Sequence, residues 1–234
     1  MTHLQGRQRS AYVRRMFGRI AGRYDLLNRV MTGGQDVRWR RDVVRRLAPK
    51  EGGSYLDLGT GTGDLAFEIQ RQAPDSVCVA ADFTPEMIAV GRERQGPRQP
   101  EWIVADAQRL PFSSAAFDGL VSGFLLRNVV DLDASLSEQR RVLKSGAVWV
   151  ALDTSPPPAG PLRPLIELHL HHVVPFLGRI LAGDADAYTY LPDSTEGFLA
   201  PEAMLGRLAA AGFSHGAYVR RMFGTIAIYS ARAG

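Results

Sequence analysis

The chain has 234 residues, 45% of them hydrophobic, enough to bury one substantial core. Its net charge of +4 conceals an asymmetry, for residues 1–46 carry twelve Arg and three Asp (+9) against −5 for the rest. Because Arg dominates and Lys occurs only at Lys50 and Lys144, the basic segment reads as a solvated face; nucleic acid is disfavoured as a partner, and an anionic membrane surface stays open. A single cysteine, Cys78, excludes a disulfide framework, and without an apolar signal stretch or a run of roughly 20 apolar residues the expected location is the cytoplasm.

Residues 9–31 read as helical, with Val13, Met16, Phe17 and Ile20 on one stripe and Arg14, Arg15, Arg19 and Arg23 opposite, in the manner of a lid. A second helix is expected over residues 36–47, with Asp36 as its N-cap and a stop before Pro49. Residues 54–58 then form a short apolar strand, and Gly59, Gly61 and Gly63 turn it into a helix over residues 65–70. Strands follow at residues 77–81 and 102–105, separated by a helix at 85–94 with Thr84 as N-cap and Pro85 at its first position.

Further on come a strand at residues 117–123, a helix at 133–143 and a strongly apolar strand at 147–152. A proline-rich stretch at residues 154–164 leaves the sheet and opens an insertion, with a helix at 165–181 carrying His169, His171 and His172. The chain closes with an amphipathic helix at 201–211 and a hairpin of strands at 214–221 and 225–232. Tyr12 to Ala21 and Tyr218 to Ala227 agree at nine of ten positions; the first is expected to be helix and the second strand.

The spacing G-x-G-x-G differs from the G-x-G-x-x-G of dinucleotide folds, and no phosphate-binding Lys follows, so another nucleoside ligand is implied. Helix N–H groups after the loop are expected to face that ligand, with Asp57 at the carboxyl end of the strand. Asp82, about 20 residues beyond the loop, suits a pair of ribose hydroxyls, and Asp106, after the third strand, suits the edge of a purine. Met87 can lie against that base or simply fill the core.

Glycine loop, ribose acid and base-side acid together resemble the S-adenosylmethionine pocket of class I methyltransferases. From about Phe17 to Tyr229 the chain resembles the ubiquinone/menaquinone biosynthesis C-methyltransferase family. The segments that carry this are Phe17, Ala21-Gly22-Arg23-Tyr24-Asp25 with Asn28, Leu56-Asp57-Leu58 with Gly61-Thr62-Gly63-Asp64-Leu65, Leu110-Pro111-Phe112, Phe117-Asp118, Leu126-Arg127-Asn128-Val129, Arg141-Val142-Leu143-Lys144, and Asp184-Ala185-Asp186 with Tyr190-Leu191. Departures occur at Ser145 (usually Pro), Leu125 (usually Gly), Gly123 (commonly Ser) and Asp153-Thr154 (Glu-Phe).

The resemblance implies an α/β Rossmann-like fold with a seven-stranded sheet in the order 3-2-1-4-5-7-6, its last strand antiparallel and helices on both faces. One methyltransferase domain spans 1–234: a helical lid at 1–48, a cofactor-binding half at 54–153, inserted substrate-side helices at 154–195, and a C-terminal helix and hairpin at 200–234. S-adenosyl-L-methionine is the cofactor, with S-adenosyl-L-homocysteine as product. Asp57, Gly59, Thr60, Gly61, Thr62, Asp82, Phe83, Met87, Asp106, Ala107 and Gly123 form the expected cofactor site.

Tyr24, Arg127 and Asn128 are implied as the catalytic cluster, and Phe17, Tyr24, Asn28, Arg127, His172 and Tyr190 as substrate contacts. Since the guanidinium pKa exceeds about 12, Arg127 is expected to stabilise a phenolate or hold a water rather than take a proton. Read without the resemblance, Arg127 is an ion-pair partner of Asp131 or Asp133 and Asn128 a helix cap. The expected partner is an aromatic or quinol acceptor, with peripheral membrane contact and a homodimer left open and no metal. His169 and His172 lack a third ligand, although His172 stands as an alternative base. Another aromatic acceptor, or cofactor binding without transfer, are the alternatives.

Overall fold

The computed structural model describes residues 6–96, 98–161, 163–168, 194–195 and 197–234. Seven strands form one sheet: β1 (Ser54–Leu58), β2 (Val77–Asp82), β3 (Glu101–Val104), β4 (Phe117–Gly123), β5 (Leu143–Thr154), β6 (Phe213–Arg221) and β7 (Ile226–Ala233). Their order is β3-β2-β1-β4-β5-β7-β6, as the resemblance implied. β1 to β5 are parallel, and β7 inserts antiparallel between β5 and β6. Parallel neighbours need crossovers, which helices α4 (Asp64–Gln72), α5 (Pro85–Glu93) and α6 (Leu132–Val142) contribute. Strand order reverses between β1 and β4, which opens a crevice beyond their carboxyl ends.

Before the sheet come α1 (Gly6–Ile20), a 3-10 turn at Ala21–Arg23, α2 (Tyr24–Met31) and α3 (Gln35–Leu47); after β5 come α7 (Arg163–Leu168) and α8 (Pro201–Ala210). Alternation along the strands gives the sheet two apolar faces. On one, Tyr55, Cys78, Ala80, Val121 and Val150 pack against Trp39, Val43 and Val44 of α3 and Leu65 and Ile69 of α4. On the other, Leu56, Leu58, Leu120 and Trp149 meet Leu136 of α6 and Met204 and Leu208 of α8. Burial leaves the Cys78 thiol well above the ordinary thiol range. Met16, Ile20 and Leu27 form a smaller cluster under the N-terminal helices.

The structure departs from the sequence reading in a few places. Asp36 is not the N-cap of α3: Gly34 holds that position, and Asp36 is fully buried against Arg40 at 2.6 Å while accepting from the Thr32 hydroxyl. Thr84 precedes α5, yet its side chain makes no capping bond; Pro85 and the Met87 N–H to the Thr84 carbonyl close that turn. A side-chain cap does occur on α6, where Asp131 accepts from Ala134 N–H at 2.9 Å. β5 is 12 residues long because it starts early, with Leu143 paired to Phe117, and its pairing with β7 continues to Thr154, beyond the apolar run visible in the sequence. The second copy of the near-repeat is not one strand: it leaves β6 at Arg221, turns at Met222–Gly224 and re-enters β7 at Ile226.

Trp149 is completely buried, and its indole N–H donates to Gln139 Oε1 at 2.7 Å. Trp149→Phe leaves that amide oxygen without its donor and a gap in the core, at an expected cost of about 2–4 kcal/mol in urea unfolding. Adding Gln139→Leu together with Ser135→Ala, whose hydroxyl accepts from the Gln139 amide at 3.0 Å, should recover part of that loss, because neither buried polar group then remains.

Candidate active site

The crevice beyond β1 and β4 is a cavity with α1 and α2 in its wall. Its shape begins at Asp57. That carboxylate is fully buried, and its Oδ2 accepts from the Thr60 hydroxyl at 2.6 Å and from Ala66 N–H at 2.9 Å, bending the chain from β1 into α4. Burial raises the Asp57 pKa to about 7. Gly59 has φ +67, and a Cβ there would lie 2.9 Å from Leu125, so the loop and the segment after β4 meet only through glycine.

The amides of this loop are already engaged. Gly59 and Thr60 N–H donate to the Ala81 carbonyl, at 2.8 and 3.0 Å, and Gly61 N–H donates to Asp82 Oδ2 at 2.8 Å. In the first turn of α4, Ala66 N–H belongs to Asp57 and Phe67 N–H to the Gly63 carbonyl. A loop whose amides are turned onto a main-chain carbonyl and the Asp82 carboxylate is ill suited to phosphate and suits a ligand bearing hydroxyls or positive charge.

Gly59, Gly61, Asp82, Phe83, Met87, Asp106, Ala107 and Gly123, from the expected cofactor set, all line the cavity. Asp57, Thr60 and Thr62 do not; they hold the loop from behind. Asp82 Oδ1 accepts from Thr84 N–H at 2.7 Å, and burial raises this carboxyl above its ordinary range. Asp106 is exposed and holds Gln108 N–H at 2.9 Å, which brings Gln108 into the wall as well.

Phe17 and Tyr24 line the same cavity, their rings edge to face with centroids 5.8 Å apart. Burial raises the Tyr24 phenol above its ordinary pKa, against the opposing fields of Arg40 and Arg127 and the amide of Asn28 beside it. Asn28 does not line the cavity, whereas Asn128 does, its side chain donating to the Phe124 carbonyl at 2.8 Å. Arg127 also lies off the cavity. It is buried, and its Nη1 is 2.5 Å from Asp153 Oδ1, with the guanidinium over the Phe124 ring at 5.1 Å. Neither Asp131 nor Asp133 is its partner: Asp131 caps α6 and Asp133 pairs with Arg207. His172 and Tyr190 lie outside the described residues, as do His169 and the Asp184-Ala185-Asp186 segment.

Sequence reasoning missed the ionic network that ties α2 to the loop. Thr62 donates to Asp25 Oδ1 at 2.8 Å, Arg94 reaches the Thr62 carbonyl at 2.9 Å and Asp64 at 2.7 Å, and Arg40 bridges Asp64 and Asp36 at 2.9 and 2.6 Å. Burial works against ionised Asp64, but Arg40 and Arg94 overcome it and hold its pKa low. Burial, aided by Asp64, raises Asp25. From α1, Arg9 donates to the Arg127 carbonyl at 2.8 Å, and Arg14 sits over the Phe83 ring at 5.7 Å. Only the position of Asp25 beside Tyr24 hinted at any of this, since pairing across 37 or 69 residues leaves no local pattern. Among the described residues no cluster of three His, Cys, Asp or Glu is placed to hold a metal, and no helix is long and apolar enough to cross a membrane.

The model of the ubiE/COQ5 methyltransferase family matches residues 5–232. A ubiquinone/menaquinone biosynthesis C-methyltransferase UbiE from Desulfotalea psychrophila is 42% identical over 217 residues, covering 93% of this chain and 88% of its own. A demethylmenaquinone methyltransferase from Thermus thermophilus is 44% identical over 216 residues, covering 92% and 98%. Among solved structures, a possible histamine N-methyltransferase from Thermotoga maritima superposes with a TM-score of 0.69 at 16% identity, covering 94% and 99%. The [4+2]-cyclase SpnF superposes at 0.66 and 18% identity, covering 94% of each chain. These likenesses establish the fold, and the sequence relatives establish the family.

The buried Asp57 carboxyl has a stability consequence. In the unfolded chain it titrates near 3.8, but in the folded protein only near 7, so between those values the folded state holds the extra proton. Its contribution to stability is fully present below the lower value and is lost as pH rises through the upper one. Asp57→Asn, which keeps the shape without the charge, should flatten the fall in melting temperature between about pH 4 and 7 measured by calorimetry.

Proposed function

The chain belongs to the ubiE/COQ5 methyltransferase family, and on that premise we propose that it methylates a ring carbon of a polyprenyl hydroquinone such as demethylmenaquinol. It is an S-adenosylmethionine-dependent methyltransferase. The observation that carries the fit of this cofactor is the loop itself. Its Gly59 and Thr60 amides close onto the Ala81 carbonyl and its Gly61 amide onto Asp82, so it disfavours phosphate and suits a hydroxylated, positively charged nucleoside. Asp82 is the group for the ribose hydroxyls and Asp106 for the purine edge, with Met87, Phe83 and Ala107 as apolar walls for the base.

When bound, the cofactor supplies an electrophilic methyl carbon on a sulfonium. The protein's part is to hold an acceptor ring in line with that carbon and to stabilise negative charge on the acceptor's oxygen. Tyr24, a phenol that burial raises further above its ordinary range, is a hydrogen-bond donor rather than a base. Asn128 donates an amide from the wall, and Arg127 adds positive charge from behind it. None of the three takes a proton near neutrality, so the one proton released per turnover leaves to solvent or to His172. Phe17, edge to face with Tyr24, is a flat apolar contact for the ring. The polyprenyl tail makes a peripheral membrane encounter the natural route for the substrate, and the arginine-rich N-terminal helices suit an anionic headgroup layer.

Incubation with methyl-labelled cofactor and a panel of quinols should place label on a quinol ring carbon; label only in a non-quinol aromatic would redirect the reading to another acceptor, and tight binding without transfer would make the chain a binding protein. Asn128→Ala should lower kcat about 100-fold while leaving the calorimetric Kd for S-adenosylmethionine within about twofold.

A further inference from the structure

Asp153 is a buried acid with no part in the chemistry described so far. It is fully buried at the carboxyl end of β5, and its Oδ1 accepts from Arg127 Nη1 at 2.5 Å and from Thr154 N–H at 2.7 Å, while Oδ2 accepts from the Arg127 N–H at 3.3 Å. The carboxylate thus grips Arg127 by side chain and main chain together. Stability does not explain such a pair, because the desolvation cost of two buried charges offsets their attraction, and apolar replacements are often as stable.

The chain that Asp153 grips is under strain. Phe124, just before the turn, has φ +59, a left-handed conformation that a bulky residue adopts at a cost of roughly 1–3 kcal/mol. The 3-10 turn Leu126–Asn128 follows, with Asn128 N–H on the Leu125 carbonyl at 2.8 Å and the Asn128 amide on the Phe124 carbonyl. Asn128 lines the cavity, whereas Arg127 is turned away from it and laid over Phe124. Between the strained residue and the cavity-lining amide, the buried fastening to the sheet is the Arg127–Asp153 pair.

We propose that Asp153 is a positioning residue for methyl transfer: by holding Arg127 at both ends it fixes the turn that presents Asn128 to the acceptor and sets the Arg127 charge behind it. This rests on the proposed reading, in which the acceptor meets Asn128. Asp153 touches neither acceptor nor cofactor and acts through Arg127.

The experiment compares wild type, Asp153→Asn, Arg127→Met and the double variant Asp153→Leu/Arg127→Met with labelled S-adenosylmethionine and a short-chain demethylmenaquinol. Asp153→Asn keeps the shape but loses the charge, and kcat should fall about 100-fold, the scale of a small misplacement of a reacting partner, with cofactor Kd within about twofold. In the double variant, unfolding by urea should recover part of the stability lost in either single variant while kcat stays as low as in Arg127→Met. A merely structural pair predicts the opposite, recovery of turnover along with stability.

Wild-type kcat in Asp153→Asn, or in the double variant, would overturn the inference alone. So would normal turnover in Arg127→Met beside an impaired Asp153→Asn, since Asp153 would then not act through Arg127. Absence of transfer by wild type to any aromatic acceptor would overturn the reading and the inference with it.

Discussion

A carboxylate without water organises this protein. Asp57 lies inside β1, completely buried, and donors from Thr60 and Ala66 converge on one of its oxygens. Those two bonds join the end of a strand to the first turn of a helix across a loop of glycines, and thereby set the floor of the cavity. Burial is costly for the charged form, which is why the group keeps its proton to about pH 7. The geometry turns the Gly59, Thr60 and Gly61 amides onto protein, unlike a loop that cradles a pyrophosphate with its amides.

Around that floor, the walls are fastened by charge rather than by apolar packing alone. Arg94 and Arg40 link Asp25 of α2, Asp64 of α4 and Asp36 of α3, so the N-terminal helices and the glycine loop form one ionic unit. Partial burial keeps these pairs from the screening that makes exposed pairs weak. Arg9 and Arg14 of α1 then reach opposite sides of the cavity, at Arg127 and Phe83. On the far wall the Arg127–Asp153 pair ties the 3-10 turn to β5. Segments that are remote in sequence thus meet over one crevice.

How much of this could be read beforehand depends on distance along the chain. The glycine turn, the acids after β2 and β3, and the apolar runs of β1 and β4 are local patterns, and they marked the strand–helix alternation and many residues that line the cavity, whereas the strand order came from the family resemblance. Asp57 was recognisable as notable but not as inward-facing, because a strand's two faces are told apart only by what packs on them. The partners of Arg127 and Arg94 were invisible, since a carboxylate 26 or 30 positions away looks the same in sequence whether it pairs or not.

The near-repeat separates what sequence determined from what only the tertiary structure decided. Composition and period by themselves determined an α/β protein with a nucleoside loop, because side-chain spacing follows from backbone geometry within a few residues. Tyr12 to Ala21 and Tyr218 to Ala227, nearly identical, became a helix and a strand–turn–strand. Met16 is buried among α1 and α2, while its counterpart Met222 has φ +46 in a turn whose Phe223 is 75% exposed. Intrinsic propensities differ by well under 1 kcal/mol per residue, less than pairing β6 against β7 or packing α1 on Leu27 contributes. Conformation there belongs to the surroundings, which no ten residues contain.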